Sequence, residues 1–116
     1  MAKHNKLGKD GELIAFMILQ RDGFTILETN WRFQKAEIDV IAKKDGFLIF
    51  IEVKTRSSKK FGRPEEAIDK KKIALYKDAA EGYLEQYPTE AEIRFDVVSI
   101  IIRKDGTQIE HIPNAF

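Results

Sequence analysis

The side chains best able to do chemistry are Glu37, Asp39, Glu52 and Lys54. They sit in two apolar, β-branched runs, Glu37-Ile38-Asp39-Val40-Ile41-Ala42 and Phe47-Leu48-Ile49-Phe50-Ile51-Glu52-Val53-Lys54, separated by Lys43-Lys44-Asp45-Gly46. An Asp-Gly pair between such runs signals a hairpin with a two-residue loop. With Asp45-Gly46 as that loop, Asp39 stands opposite Glu52 and Glu37 opposite Lys54. Opposed residues have Cβ atoms about 4.5–5.5 Å apart, and alternation places all four on one face. Two facing carboxylates raise each other's proton affinity unless positive charge intervenes. Lys54 offsets part of that charge. A divalent cation offsets more, and paired carboxylate oxygens suit a hard ion such as Mg²⁺ or Mn²⁺. The competing reading is an exposed hairpin face with a Glu37–Lys54 ion pair worth little. Leu48 and Phe50 share the face with Glu52, which argues against open solvent there, since acids among apolar neighbours need a partner.

Other elements must hold this hairpin in place. A helix capped by Asn5 or Asp10 is expected to run to about Arg21 and stop at Gly23. Its centre, Leu13 to Leu19, is apolar nearly all round and should be well buried. Glu12, just before that run, reads as an acid favoured near a helix N-terminus. Phe24 to Phe33 forms a first strand, joined through Gln34-Lys35-Ala36 to the hairpin, so strands one to three make an antiparallel meander. Trp31 packs; Arg32 is either a phosphate contact or exposed. The stretch from Thr55 to Arg63 is a polar, basic loop, the kind of segment that carries binding residues.

A second helix is expected from Pro64 to about Gln86, before Pro88. Its apolar stripe holds Ile68, Leu75, Ala79 and Tyr83. Lys72 falls on the same stripe and is either snorkelling or aimed at an anion, with the second favoured. Lys70 and Lys71 face solvent. Glu92 to Lys104 is a long strand, parallel to strand three through a right-handed crossover. Asp105-Gly106 closes a last hairpin with Gln108 to Pro113. Asp96 reads as a structural hydrogen-bonding residue. The fold class is therefore α/β, a central mixed sheet flanked by helices in the order α-β-β-β-α-β-β.

The 116 residues suit one domain, and 43% hydrophobic with 34% charged residues suits a soluble globule. There is no cysteine, which excludes disulfides and thiolate metal sites. His4 and His111 have no ligand spacing, so zinc is not expected. The longest apolar run is too short to span a bilayer. A Gly-Lys-Asp-Gly-Glu stretch interrupts the basic N-terminal residues, so neither a signal peptide nor a membrane association is expected, and cytoplasm is the default. The net charge of +1 hides an asymmetry: residues 54–72 carry eight Lys/Arg against three acids, and residues 78–110 eight acids against three bases. A basic segment of this kind can meet a phosphate backbone, although a solvated surface is the commoner meaning.

An Asp followed on the next strand by Glu-X-Lys is the signature of the restriction-endonuclease-like (PD-(D/E)XK) nucleases, and the element order resembles their archaeal Holliday-junction resolvase relatives. Nearly the whole chain resembles more closely the bacterial YraN-like family. The matching stretches are Asn5-Lys6-Leu7-Gly8 with Gly11-Glu12, Ile26 to Arg32, Glu37 to Ala42, Ile51 to Arg56, Pro64 to Ile68, Ala79-Ala80 with Tyr83-Leu84, and Arg94 to Val98. Ala36 departs from the Gly that many members carry before Glu-Ile-Asp.

The resemblance implies a restriction-endonuclease-like fold and raises Glu12 to an active-site carboxylate. It implies Mg²⁺ or Mn²⁺ held by Asp39, Glu52 and the Val53 carbonyl, Lys54 acting on water or phosphate, and Glu12 holding a water from behind. Arg56 and Lys72 are then expected on the DNA backbone. No aromatic stacking platform is evident, which favours cleavage selected by DNA structure, such as branched or junction DNA, over a base sequence. The rival is a catalytically silent nucleic-acid- or protein-binding module that retains the fold. RNA as substrate, and a homodimer through an exposed β edge, stay open.

Overall fold

The computed structural model describes residues 2–57 and 69–116, with side chains from residue 6 onward. The elements are α1 (Ala2–Arg21), β1 (Thr25–Phe33), β2 (Ala36–Lys44), β3 (Phe47–Arg56), α2 (Lys70–Gln86), β4 (Glu92–Arg103) and β5 (Gly106–Ile112). The strands form one sheet in sequence order, β1-β2-β3-β4-β5. Only the β3–β4 pairing is parallel, so the sheet is mixed as expected. The sheet flanked by two helices fits a restriction-endonuclease-like fold.

The register of the central hairpin follows from its turn. Asp45 and Gly46 both have positive φ, 52° and 85°, the requirement of a two-residue turn that matches strand twist. Lys44 therefore pairs with Phe47 and Val40 with Ile51. The second Asp-Gly behaves differently. There Gly106 pairs with Arg103, so Lys104-Asp105 make the turn and Gly106 starts β5.

Apolar alternation splits the core in two. On one face α1 contributes Ala15 and Leu19 against Val40, Ala42, Ile49, Ile51, Val98 and Ile100. On the other, α2 contributes Tyr76, Ala79, Ala80 and Tyr83 against Ile38, Ile41, Leu48 and Phe50. Trp31 packs there as expected, stacked on Phe33 and edge-on to Tyr83.

The first helix differs from expectation at its start. Asn5 and Asp10 lie inside α1, and Asp10 pairs with Lys6 one turn earlier instead of capping. The helix is also less buried than its composition suggests, because it packs on one side only: Leu13 and Met17 are 59% and 69% exposed. α2 begins at Lys70, where Asp69 is the N-cap and accepts the Lys72 N–H at 2.8 Å. The start expected at Pro64, Ile68 and most of the basic loop lie outside the described residues. Thr55 and Arg56 belong to β3, where they pair with Ile100 and Ile101. Among the described residues, no helix is long and apolar enough to cross a membrane.

Candidate active site

Asp39 lies just beyond the end of the β2–β3 ladder. That pairing stops at Val40 and Ile51, while the β1–β2 register stays in phase from Thr29↔Val40 to Trp31↔Ile38. Asn30 has φ 52°, in the left-handed region that Asn tolerates better than most residues. The backbone of Asp39 also reaches α2. Its N–H donates to the Tyr76 hydroxyl at 3.2 Å, and its Oδ2 accepts the Val53 N–H at 2.7 Å. The carboxylate thus takes the β3 N–H that a continued ladder would have paired. In a strand the N–H and C=O of one residue point the same way, so the Val53 carbonyl also looks toward the gap that Asp39 occupies.

Glu52 approaches from β3 and is 4% exposed. It lines the same cavity as Asp39, close enough for its charge to act on that carboxyl. The Tyr76 hydroxyl donates to Oε1 at 2.8 Å, and the Lys72 ammonium pairs with Oε2. The facing acids inferred from the hairpin register do come together. Burial, and then the neighbouring Glu52 charge, push the Asp39 carboxyl up to about 8, against the opposing pull of the Val53 N–H. Burial followed by Asp39 and Glu52 also raises the Tyr76 hydroxyl well above its usual range, so it stays protonated and keeps donating.

The third acid arrives from α1. Gly11 permits this: a Cβ there would lie 1.9 Å from the Thr55 hydroxyl. With no side chain at Gly11 the helix rests against the end of β3, and the next residue, Glu12, faces the same cavity as Asp39 and Glu52. Burial raises the Glu12 carboxyl; a hydrogen bond with Asn30 opposes this, and the Glu37 and Glu52 charges add to it.

The cavity, of about 780 Å³, is lined by Glu12, Asp39, Glu52, Val53 and Lys54, with Lys35 and Lys71 among the cations around it. Lys54 thus shares a cavity with the two hairpin acids. Glu37 also lines it, but pairs with Arg32 at 3.9 Å instead of with Lys54. Two expectations need correction. Arg56 is buried (7% exposed) and is not in the lining, because β3 continues through it where a loop was expected. Lys72 does point at an anion, but that anion is Glu52.

Sequence reasoning missed Tyr76 and Asn30. Tyr76 had a usable signal. A tyrosine one turn after Lys72 and next to Leu75 falls near the buried stripe, and a buried hydroxyl requires a partner. Asn30 had none, since its influence on Glu12 depends on where α1 packs.

For a divalent ion the donors would be the Asp39 and Glu52 carboxylates and the Val53 carbonyl. Three hard oxygens with room for water fit Mg²⁺ or Mn²⁺. Among the described residues no group of three or more acidic or histidine side chains forms a cage. Asp96 lies elsewhere and is structural: fully buried, it accepts two bonds from Arg94 at 2.8 Å, the Asn114 N–H at 3.0 Å, and contacts His111 Nε2 at 2.7 Å.

Residues 11–100, which include every cavity residue just discussed, match the family described as Uncharacterised protein family UPF0102. Over its full length the chain is 47% identical to a UPF0102 protein of Christiangramia forsetii and 47% to one of Flavobacterium psychrophilum, covering 98% of each. It is 40% identical to a UPF0102 protein of Bacteroides thetaiotaomicron, covering 96% of it.

Proposed function

The chain belongs to the UPF0102 family, a membership that names no reaction, and from the geometry of the cavity we propose that it is a Mg²⁺- or Mn²⁺-dependent endonuclease acting on DNA phosphodiester bonds. One observation carries this reading. Just past the end of the β2–β3 ladder, Asp39 and the buried Glu52 share one cavity and one hydroxyl, that of Tyr76, an arrangement of two acids that costs stability unless a cation or a proton relieves it. A divalent ion, when bound there, would draw charge from a phosphate and make water a better nucleophile at neutral pH.

The remaining roles fall to the chain's own groups. Lys54 lines the same cavity as Glu52 and donates to phosphate oxygens as charge develops. Glu12, on the α1 side, accepts from the attacking water and orients it. Lys35 and Lys71 hold the backbone of the substrate, contacts that position without reading bases. The cavity's aromatic side chain, Tyr76, is buried and committed to Glu52. No described ring is therefore offered for stacking in the cavity, which supports selection by DNA structure, such as a branch or junction, over selection by sequence.

The test is cleavage of branched, flapped and linear DNAs, with an RNA control, in Mg²⁺ or Mn²⁺. Cutting should require the ion and disappear in Asp39→Ala. Equal cutting by that variant would refute the assignment.

A second reading has its own support. Both Glu52 oxygens are occupied by α2 side chains, as would suit a binding module that keeps the fold without turnover. It predicts salt-sensitive DNA binding with no cleavage and no stabilisation by Mn²⁺.

A further inference from the structure

The inference rests on the reading of Asp39 and Glu52 as a cation site and concerns what α2 does there. Lys72 and Tyr76 lie one helical turn apart and grip opposite oxygens of the same carboxylate. Their grips differ in kind. Tyr76 donates a neutral hydrogen bond that Glu52 can keep while its other oxygen changes partner. Lys72 supplies the positive charge, which is the service a metal ion would perform.

The two ends of Lys72 also differ in freedom. Its backbone N–H is fixed on the Asp69 cap, while its side chain is 43% exposed and lines the cavity together with Lys71. Its ammonium can leave Glu52 by stem rotation without disturbing the helix.

We propose that Lys72 is the resident counter-cation of this site, and that its ammonium and a divalent ion are alternative occupants of the Glu52 Oε2 position. Ion binding releases Lys72 to the cavity mouth, where it joins Lys71 and Lys35 as a phosphate ligand. Metal and phosphate binding are then coupled. A phosphodiester that holds Lys72 away from Glu52 favours the ion, and the ion by the same factor favours the phosphodiester. Lys72 is a positioning residue in this scheme and keeps the carboxylate pair neutralised when no substrate is present.

Calorimetric titration with Mn²⁺ of wild type, Lys72→Met and Asp39→Asn tests this directly. Methionine preserves the length of the stem and removes the charge. Lys72→Met should bind Mn²⁺ about tenfold more tightly than wild type, and Asp39→Asn should lose binding. Equal or weaker binding by Lys72→Met, with wild type still binding, overturns the role of Lys72 and leaves the metal site intact. No binding by either protein overturns the metal site and this inference with it. A second measurement on wild type needs no variant: the Lys72 Nζ–Hζ signal, protected in the ion pair, should move to a solvent-exposed position on adding Mg²⁺. An unmoved signal at saturating Mg²⁺ overturns the proposal.

Discussion

Replacing Asp39 by Asn should stabilise the protein in the absence of metal, and the gain should grow with pH. Asn keeps an oxygen for the Val53 N–H and turns an amide toward Glu52, so a repulsive contact becomes a hydrogen bond. In wild type the folded Asp39 carboxyl titrates at about 8, against 3.8 as its ordinary value. Between those values the folded state keeps a proton that the unfolded chain has released. Wild-type stability therefore falls as pH rises from about 4 to about 8 and levels off above. A rise of that size has a ceiling of about 6 kcal/mol. Asp39 is only partly buried in an open cavity and Lys72 already offsets Glu52, so solvent and the ammonium screen most of it. An advantage of about 2 kcal/mol for the variant at pH 9 is expected, or about 8 °C in melting temperature for a domain of this size. At pH 4 the two proteins should melt together. The assay is thermal unfolding from pH 4 to pH 9 in EDTA, repeated with Mn²⁺, which should raise the melting temperature of wild type only. Parallel pH profiles, or a variant less stable at every pH, would refute the claim that the two carboxyls are held together against their repulsion.

Tyr76→Phe removes the hydroxyl that serves Glu52 and the Asp39 N–H, and should cost about 1–3 kcal/mol in urea unfolding by leaving buried polar groups without a partner; unchanged stability would mean that water replaces it. Gly11→Ala drives a methyl group into Thr55 and should destabilise by about 1–3 kcal/mol, with part of the loss recovered by adding Thr55→Ala, as read from denaturation midpoints. Asp96→Asn breaks a buried network and should cost about 3–5 kcal/mol without altering Mn²⁺ affinity measured by calorimetry. Burial alone would raise the Asp96 carboxyl, but hydrogen bonds from His111, Arg94 and the Asn114 N–H hold it below its ordinary value. Its contribution to stability is therefore full above pH 4 and lost as pH falls through the lowered folded value. Wild type should accordingly lose more stability than Asp96→Asn when unfolding is compared at pH 5 and pH 2.5.

Much of the site around Asp39 is local in origin. Asp45-Gly46 dictates the loop, the loop dictates the register, and the register brings Asp39 to Glu52 with Lys54 two residues on. All of that is encoded within about eighteen residues, because strand alternation and turn geometry are short-range rules. The mixed sheet and the parallel crossover are legible in the same way, from apolar runs and connection lengths. What the tertiary structure alone decided are the contacts between elements. Which way α2 rotates on the sheet determines that Lys72 and Tyr76 close on Glu52. The close approach of α1 to β3 at Gly11 determines that Glu12 joins the cavity of Asp39 and Glu52. The continuation of β3 determines that Arg56 is buried, and one-sided packing leaves Leu13 and Met17 in solvent. Such partners depend on the azimuth of a helix and on where a ladder yields, quantities set by packing of the whole core, which no window of sequence contains.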